Sequence, residues 1–365
     1  IYFSIKLGEK SMVNKNRKIE FDLMRIIACL GVIMIHADVF NQLDSYSTNS
    51  LSYQGINIWG TLSRWAVPAF VMLSGMFVIP KSGKESLKQL FVKRVIRMVV
   101  AYIVWSAVYS FYNVFFLNKV YSGTKIKTFL DGCFSGETHM WYLLMLAGLY
   151  IISPLLNVLL EHLSDKMILY WIGAMFVFTS IIPFIGKVNI RFISTIISSM
   201  TGYMDLQFLC GWTLYFVLGY VFSKREMSKN INIIIGIVSA ISFVFTFIAT
   251  VVYSYFNGKA YGVLDYMYPN IVLYSVGIFF FFKDIVSKIN FSERIQKIIV
   301  SLSSLTFGIY LIHYLVLEVL CKFGINTTMF YPILSIPVLA VITFCIGGLI
   351  VWLIRKIPKV GKYIA

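Results

Sequence analysis

A multi-spanning, all-α integral membrane protein is the fold class this sequence predicts, and three observations predict it. Of its 365 residues, 59% are hydrophobic and 13% charged, against about 45–50% and about 25% in soluble globular domains. The apolar residues fall into ten runs, most of them near the roughly 20 residues a helix needs to cross a bilayer. Lys and Arg collect on alternate loops, as they do on the cytoplasmic side of membrane proteins. Together these exclude a soluble enzyme, a disordered chain and a secreted disulfide scaffold.

The elements follow in chain order. Residues 1–18 form a basic stretch without an apolar core of its own, which reads as a cytoplasmic tail and not as a cleavable signal peptide. Spans are expected at 19–40, 56–79, 95–117, 139–160, 167–185, 206–223, 231–256, 267–282, 298–321 and 330–354, so the transmembrane domain covers 19–354. A basic tail, 355–365, follows. The net charge is +16. With the N-terminus inside, 22 of the 32 Lys and Arg fall on inner segments and seven on outer loops. The remaining three, Arg25, Arg64 and Arg97, lie within spans. This split places both termini in the cytoplasm, favours an even span count, and accounts for the charge without nucleic acid. Cys29, Cys133, Cys210, Cys321 and Cys345 include no CxxC pair and read as small core hydrophobes.

Charged groups inside a span cost about 2.5–3.5 kcal/mol each on insertion scales, so each needs a reason. The first span runs Asp22-Leu-Met-Arg25, then ten residues, then His36-Ala-Asp38. Eleven positions at about 100° each bring Arg25 and His36 to within ~20° of one helix face, about 16 Å apart along the axis. One stripe thus carries a cation near the inner side and an imidazole farther out, with Asp22 placed to pair with Arg25 at i, i+3. The alternative is an Arg that snorkels to the interface and a His bonded to a neighbouring helix. Arg94 and Arg97, at the inner end of the third span, share a face. They read either as positive-inside anchors or as a site for phosphate groups, which guanidinium forks suit. His139 opens the fourth span and His313 lies about fifteen residues into the ninth, so both fall in the outer half with His36. His162 reads as surface. Three imidazoles on three helices lack any HxxxH spacing, which favours proton handling over a metal site, and no metal is expected. Pro68 predicts a kink in the second span. Ser74-Gly75 permits close helix approach there, and Arg64 lies in the outer half of that span, placed to face the same cavity as the histidines.

These residues also form a pattern. Phe21-Asp22, with Arg25-X10-His36, resembles the first signature of the membrane-bound acyltransferase type 3 family, and Arg94-X-X-Arg97 resembles its second. Phe70-Val-Met-Leu-Ser74-Gly75, His139-Met-Trp141-Tyr142-Leu143 and Phe307-Gly-Ile-Tyr310-Leu-Ile-His313 are similar to its remaining landmarks, in family order across 20–355. Ala101-Tyr102 stands where many members have Pro-Tyr. The resemblance implies about ten spans in a bacterial plasma membrane. It also implies transfer of an acyl group, usually acetyl, from cytoplasmic acyl-CoA to a hydroxyl of a surface polysaccharide or lipid-linked glycan. On that expectation His36 is the base or a transient acyl carrier. His139 and His313 join it, Arg25 holds the thioester end of the donor, and Arg94 and Arg97 hold its phosphates. Acetyl-CoA is then a substrate, and membrane lipid the surrounding partner. Two other readings remain: a transporter of a small polar metabolite such as an amino acid, and a non-catalytic member of a polysaccharide assembly complex. A homo-oligomer is compatible with either reading.

Overall fold

The computed structural model describes residues 17–37, 47, 50–121, 123–187, 192, 195–197, 204, 210–258, 262–357 and 361. Among these, every regular element is a helix and no strand occurs. The elements are α1 (Ile19–Ala37), α2 (Leu51–Ser63), α3 (Ala66–Ser82), α4 (Leu87–Phe116), α5 (Lys125–Ser135) and α6 (Trp141–His162). They continue as α7 (Asp165–Ile185), α8 (Trp212–Lys224), α9 (Lys229–Asn257), α10 (Pro269–Lys288), α11 (Glu293–Lys322) and α12 (Pro332–Arg355).

Among the described residues, eight segments are long and apolar enough to cross a membrane, α2 and α3 forming one of them and α4, α6, α7, α9, α10, α11 and α12 the rest. α1 carries Glu20, Asp22 and Arg25 and so exceeds the charge such a segment normally tolerates. α8 has 13 residues, and much of the expected run before it lies outside the described residues. Helix α9 shows directly that the surrounding medium is apolar. Its buried side chains are Ser239, Ser242, Thr246, Thr250 and Ser254, whereas Ile234, Ile241 and Ile248 are exposed. A helix in water buries its apolar stripe. This one turns its small polar stripe to its neighbours, as membrane helices do.

The break in the second expected span falls at Arg64–Trp65, between α2 and α3. Pro68 explains the position: it lacks an N–H, so the carbonyl left without a helical partner belongs to the residue four before it, Arg64. The close approach expected at Ser74-Gly75 is present. A Cβ on Gly75 would collide with the Phe216 backbone of α8, and one on Gly219 would collide with the Met72 backbone of α3. Two glycines therefore lock α3 and α8 backbone to backbone. α4 starts earlier than expected and contains a π-helical turn at Phe91–Val95, which holds Arg94. α5 was not foreseen. It is capped by the Thr124 hydroxyl, which accepts from the Lys127 N–H, and it exposes Ile126, Leu130 and Phe134 at i, i+4, i+8. Such a stripe suits a helix lying in the membrane interface.

Helix α1 runs through the middle, packed on α11, α12, α3 and α2. A Cβ on Gly31 would press on Ala66, and one on Gly308 would press on Val351. Small residues at these crossings bring α1, α3, α11 and α12 close enough for their polar side chains to meet.

Candidate active site

The arginine end forms first along α1. The Asp22 carboxylate is buried and accepts three hydrogen bonds, from Arg17 Nε at 2.5 Å, Arg25 Nη1 at 3.1 Å and the Ser303 hydroxyl at 2.8 Å. The Arg25 guanidinium also lies over the Phe77 ring, 4.8 Å from its centroid. Arg97 stands over Phe307 at 5.1 Å, and its Nε is buried with no hydrogen-bond partner. Arg94 is held differently: its Nε and Nη2 donate to the two carboxylate oxygens of Glu85 at 3.0 and 3.1 Å. Desolvation pushes the Glu85 carboxyl up, but hydrogen bonds and charge from Arg94, with Lys93 and Lys81, hold it below its ordinary 4.5. Arg25, Arg94 and Arg97 all act on the Tyr150 phenol, and Arg355 adds a further positive charge beside Arg97. The three arginines read as donor-binding from the sequence therefore lie within electrostatic reach of one tyrosine. Neither Tyr150, one of 23 tyrosines, nor Glu85, nine residues before Arg94, carried a signal in the sequence.

The histidine end lies toward the far end of α1. His36, His139 and His313 come from α1, the turn before α6, and α11, yet their rings form a triangle. Centroids are 5.1 Å apart for His36–His313, 6.0 Å for His36–His139 and 5.0 Å for His139–His313. His139 and His313 are fully buried and His36 half-buried. His313 Nδ1–H donates to the Tyr310 carbonyl at 2.6 Å, which leaves Nε2 as the acceptor; that atom is buried without a partner. Nδ1 of His36 and both nitrogens of His139 are likewise buried without completed hydrogen bonds. Tyr314 stacks on His139 at 5.3 Å and meets His36 edge-on at 5.8 Å. The Tyr109 hydroxyl donates to the Leu311 carbonyl at 2.9 Å and accepts the Leu315 N–H at 3.2 Å, so it bridges the two partners of one helical rung beside His313. Arg64 sits over Tyr266 at 5.0 Å, within electrostatic reach of His36. His162 is exposed, as read from the sequence. Among the described residues, no group of His, Cys, Asp and Glu has the geometry to hold a metal ion.

A column of tyrosines joins the two ends. Ser74 stands near the phenols of both Tyr150 and Tyr142. Tyr142 meets Tyr310 at 5.5 Å, and the Tyr310 hydroxyl donates to the His139 carbonyl at 2.6 Å. Ser74, Tyr142 and Tyr310, from three motifs far apart in sequence, thus meet in space. Chemically, the arrangement offers a basic cluster for an anionic group, a line of phenols between the two ends, and a cluster of imidazoles with unspent lone pairs.

Residues 18–354 match the family described as the acyltransferase domain. No curated protein and no solved structure is similar enough to the chain to be matched. The match spans nearly all of the chain, and it unites the helices that bring Arg25, Arg94 and Arg97 to one end and the three histidines to the other: this chain belongs to the acyltransferase type 3 family and is a membrane-embedded acyltransferase.

Proposed function

We propose that the enzyme takes an acyl group, acetyl in the simplest case, from acyl-CoA at the arginine end and passes it to a glycan hydroxyl at the histidine end. In this reading the bundle has ten spans and both termini face the cytoplasm, so the arginine end meets the compartment that holds CoA. The observation that carries the reading is the convergence of His36, His139 and His313 into one buried cluster, at the opposite end of α1 from the basic basin. Arg97, half-buried and without a carboxylate partner among the described residues, suits a donor phosphate. Arg94 reaches such a group once Glu85 lets go of its fork. Arg25, oriented by Asp22 and Phe77, meets the start of the pantetheine arm, and Ser74, Tyr142 and Tyr310 line its path toward His36.

The reaction then balances simply. The acceptor oxygen attacks the thioester carbonyl carbon, the new C–O bond forms, and the C–S bond breaks. His36 takes the hydroxyl proton as general base, and the departing thiolate is protonated to free CoA. His139, with neither nitrogen hydrogen-bonded, passes the proton on, while His313, tied by Nδ1 to the Tyr310 carbonyl, packs against it.

Radiolabelled acetyl-CoA supplied to purified protein in lipid vesicles tests this, comparing wild type with Arg25→Ala and His36→Ala. Label transfer or hydrolysis in the wild type, reduced by about 10²–10⁴ in His36→Ala, is the expected result for loss of a general base. Full activity in His36→Ala overturns the assignment. Flux of a small metabolite without any turnover of acyl-CoA favours a transporter.

A further inference from the structure

A polar pocket of 340 Å³ lies between α4 and α5 at the histidine end of the bundle. We infer that it is the acceptor subsite and that it takes one sugar ring, uncharged or amino-bearing, in preference to an anionic one. The inference rests on the proposed function and adds the acceptor's place and charge.

The walls are built from residues outside the catalytic cluster. Tyr109, Asn113, Lys119, Tyr121, Asp131 and Glu137 supply the groups that would meet a ligand. The size falls at the lower end of the roughly 300–1,000 Å³ common for small-molecule sites, enough for a single ring. Most such sites are lined mainly by apolar side chains. This one offers hydroxyls, an amide and carboxylates beside two phenol rings, the lining that suits a polyhydroxylated ring with polar edges and apolar faces.

The groups are held in place. Glu318 accepts from Lys119 Nζ at 3.5 Å, Lys119 also donates to Asn113 Oδ1 at 3.2 Å, and Asn113 Nδ2 donates to Glu137 at 3.2 Å. The wall itself is fixed by two side chains of α4, since Ser110 donates to the Phe129 carbonyl and Tyr102 to the Phe134 carbonyl, at 2.9 and 2.8 Å. A Cβ on Gly132 would collide with Ser110, so the two helices already touch there. Asp131 is exposed at the rim and has no ion pair or hydrogen bond among the described residues.

Two features tie the pocket to the chemistry. Tyr109 lines the pocket and stands edge-on to His139, with centroids 5.3 Å apart. Tyr314 stands 6.3 Å from Tyr109 and 5.8 Å from His36, so one aromatic layer separates the pocket from the base. Tyr109 is pinned at both ends of its hydroxyl, which leaves Tyr314 as the side chain that must turn for a hydroxyl to pass. The charge sets the selection. Asp131 and Glu137 face the pocket, and the single lysine in its lining is engaged by Glu318. An anionic sugar meets net repulsion there, and an ammonium group meets attraction.

The test uses the full chain in lipid nanodiscs with methyl glucoside, methyl glucosaminide and glucuronic acid as probes. Binding is read by saturation-transfer NMR without donor, and acetyl-CoA turnover is followed separately. Asp131→Asn and Glu137→Gln keep size and remove charge, and Asp131 is exposed, so the first cannot act by disturbing the core. Expected is binding of both methyl glycosides, with the glucosaminide the tighter and glucuronic acid the weakest. Each substitution should weaken glucosaminide binding about tenfold, the scale of one charge-assisted hydrogen bond. It should also raise the acceptor KM with the donor KM unmoved. Sugar binding that neither substitution changes overturns the pocket, and so does glucuronic acid binding as well as glucosaminide. Acetyl-CoA hydrolysis without any sugar binding also overturns it, while leaving the donor reading intact. Charge-sensitive sugar binding with no acetyl-CoA turnover supports the pocket and rejects the donor.

Discussion

Replacing Asp22 by Asn tests the arginine end most sharply, because the two side chains have the same shape. Asp22 accepts from Arg17, Arg25 and Ser303 at once. Asn offers one accepting oxygen and turns an NH₂ toward a remaining donor. Removing one partner of a buried ion pair costs about 3–5 kcal/mol. Here the Asp22 side chain is 4% exposed, but Arg17 and Arg25 are 16% and 18% exposed, so water takes back part of the cost. The low end, about 3 kcal/mol, follows, a change of about 100-fold in the folded-to-unfolded ratio. In a chain of this length that lowers Tm by about 5 °C. Loosening Arg25 also raises the donor KM, while Ser303→Ala, which removes one neutral donor, costs about 1 kcal/mol. Thermal unfolding in detergent, followed by labelling of newly exposed cysteines, gives the first number, and initial rates against donor concentration give the second. A double-mutant cycle should show coupling of about 0.5 kcal/mol or more between Asp22 and Ser303. An Asp22→Asn protein with unchanged Tm and unchanged donor KM would refute the role given to this carboxylate.

The remaining predictions are shorter. Gly219→Ala forces a methyl into the Met72 backbone, which cannot yield as a side chain would, and costs at least about 1–3 kcal/mol, read as lost folded protein on size exclusion. Tyr109→Phe removes the bridge between the Leu311 carbonyl and the Leu315 N–H, costs about 1–2 kcal/mol in unfolding experiments, and lowers kcat by shifting His313. Glu85 titrates below its ordinary value in the folded protein, so its contribution is present above the unfolded value of 4.5 and is lost as pH falls through the folded one. The contribution is at most about 1 kcal/mol for so accessible a pair. Glu85→Gln should therefore flatten the stability profile only at acid pH, and an altered profile above pH 6 contradicts the assignment.

Much of this was legible in the sequence, for physical reasons. Hydropathy reports spans because each must satisfy its backbone internally and its surface with lipid, and every segment that meets the spanning criterion overlaps an expected run. The Arg25–His36 stripe followed from helical periodicity alone. What helix geometry cannot supply is azimuth between helices. That His139 and His313 turn toward His36, and not toward lipid, depends on crossings set by Gly31 and Gly308. Tyr150 stayed invisible because a tyrosine in an apolar run looks the same facing lipid or three arginines. α5 leaves little trace in hydropathy because it is short and amphipathic, with Ile126, Leu130 and Phe134 on one face and Lys125, Lys127 and Asp131 among the rest.

The three imidazoles are not equivalent, and hydrogen bonding says why. A carbonyl accepts only, so the Tyr310 carbonyl fixes the His313 proton on Nδ1 and commits Nε2 to accept. His139 completes no hydrogen bond at either nitrogen, although the Leu311 carbonyl lies alongside, so either tautomer fits its site. A proton entering at His36 can move to His139 and be released from its other nitrogen by a change of tautomer. At His313 the same passage would first break the bond to Tyr310. His139 is therefore the relay and His313 the group that orients it. Gln keeps one donor and one acceptor but cannot gain a proton, so His139→Gln should slow transfer more than His313→Gln does, with a solvent isotope effect that rises in the first variant alone. Equal losses in both, with unchanged isotope effects, would mean that neither ring carries the proton and that both serve only to hold His36 in place.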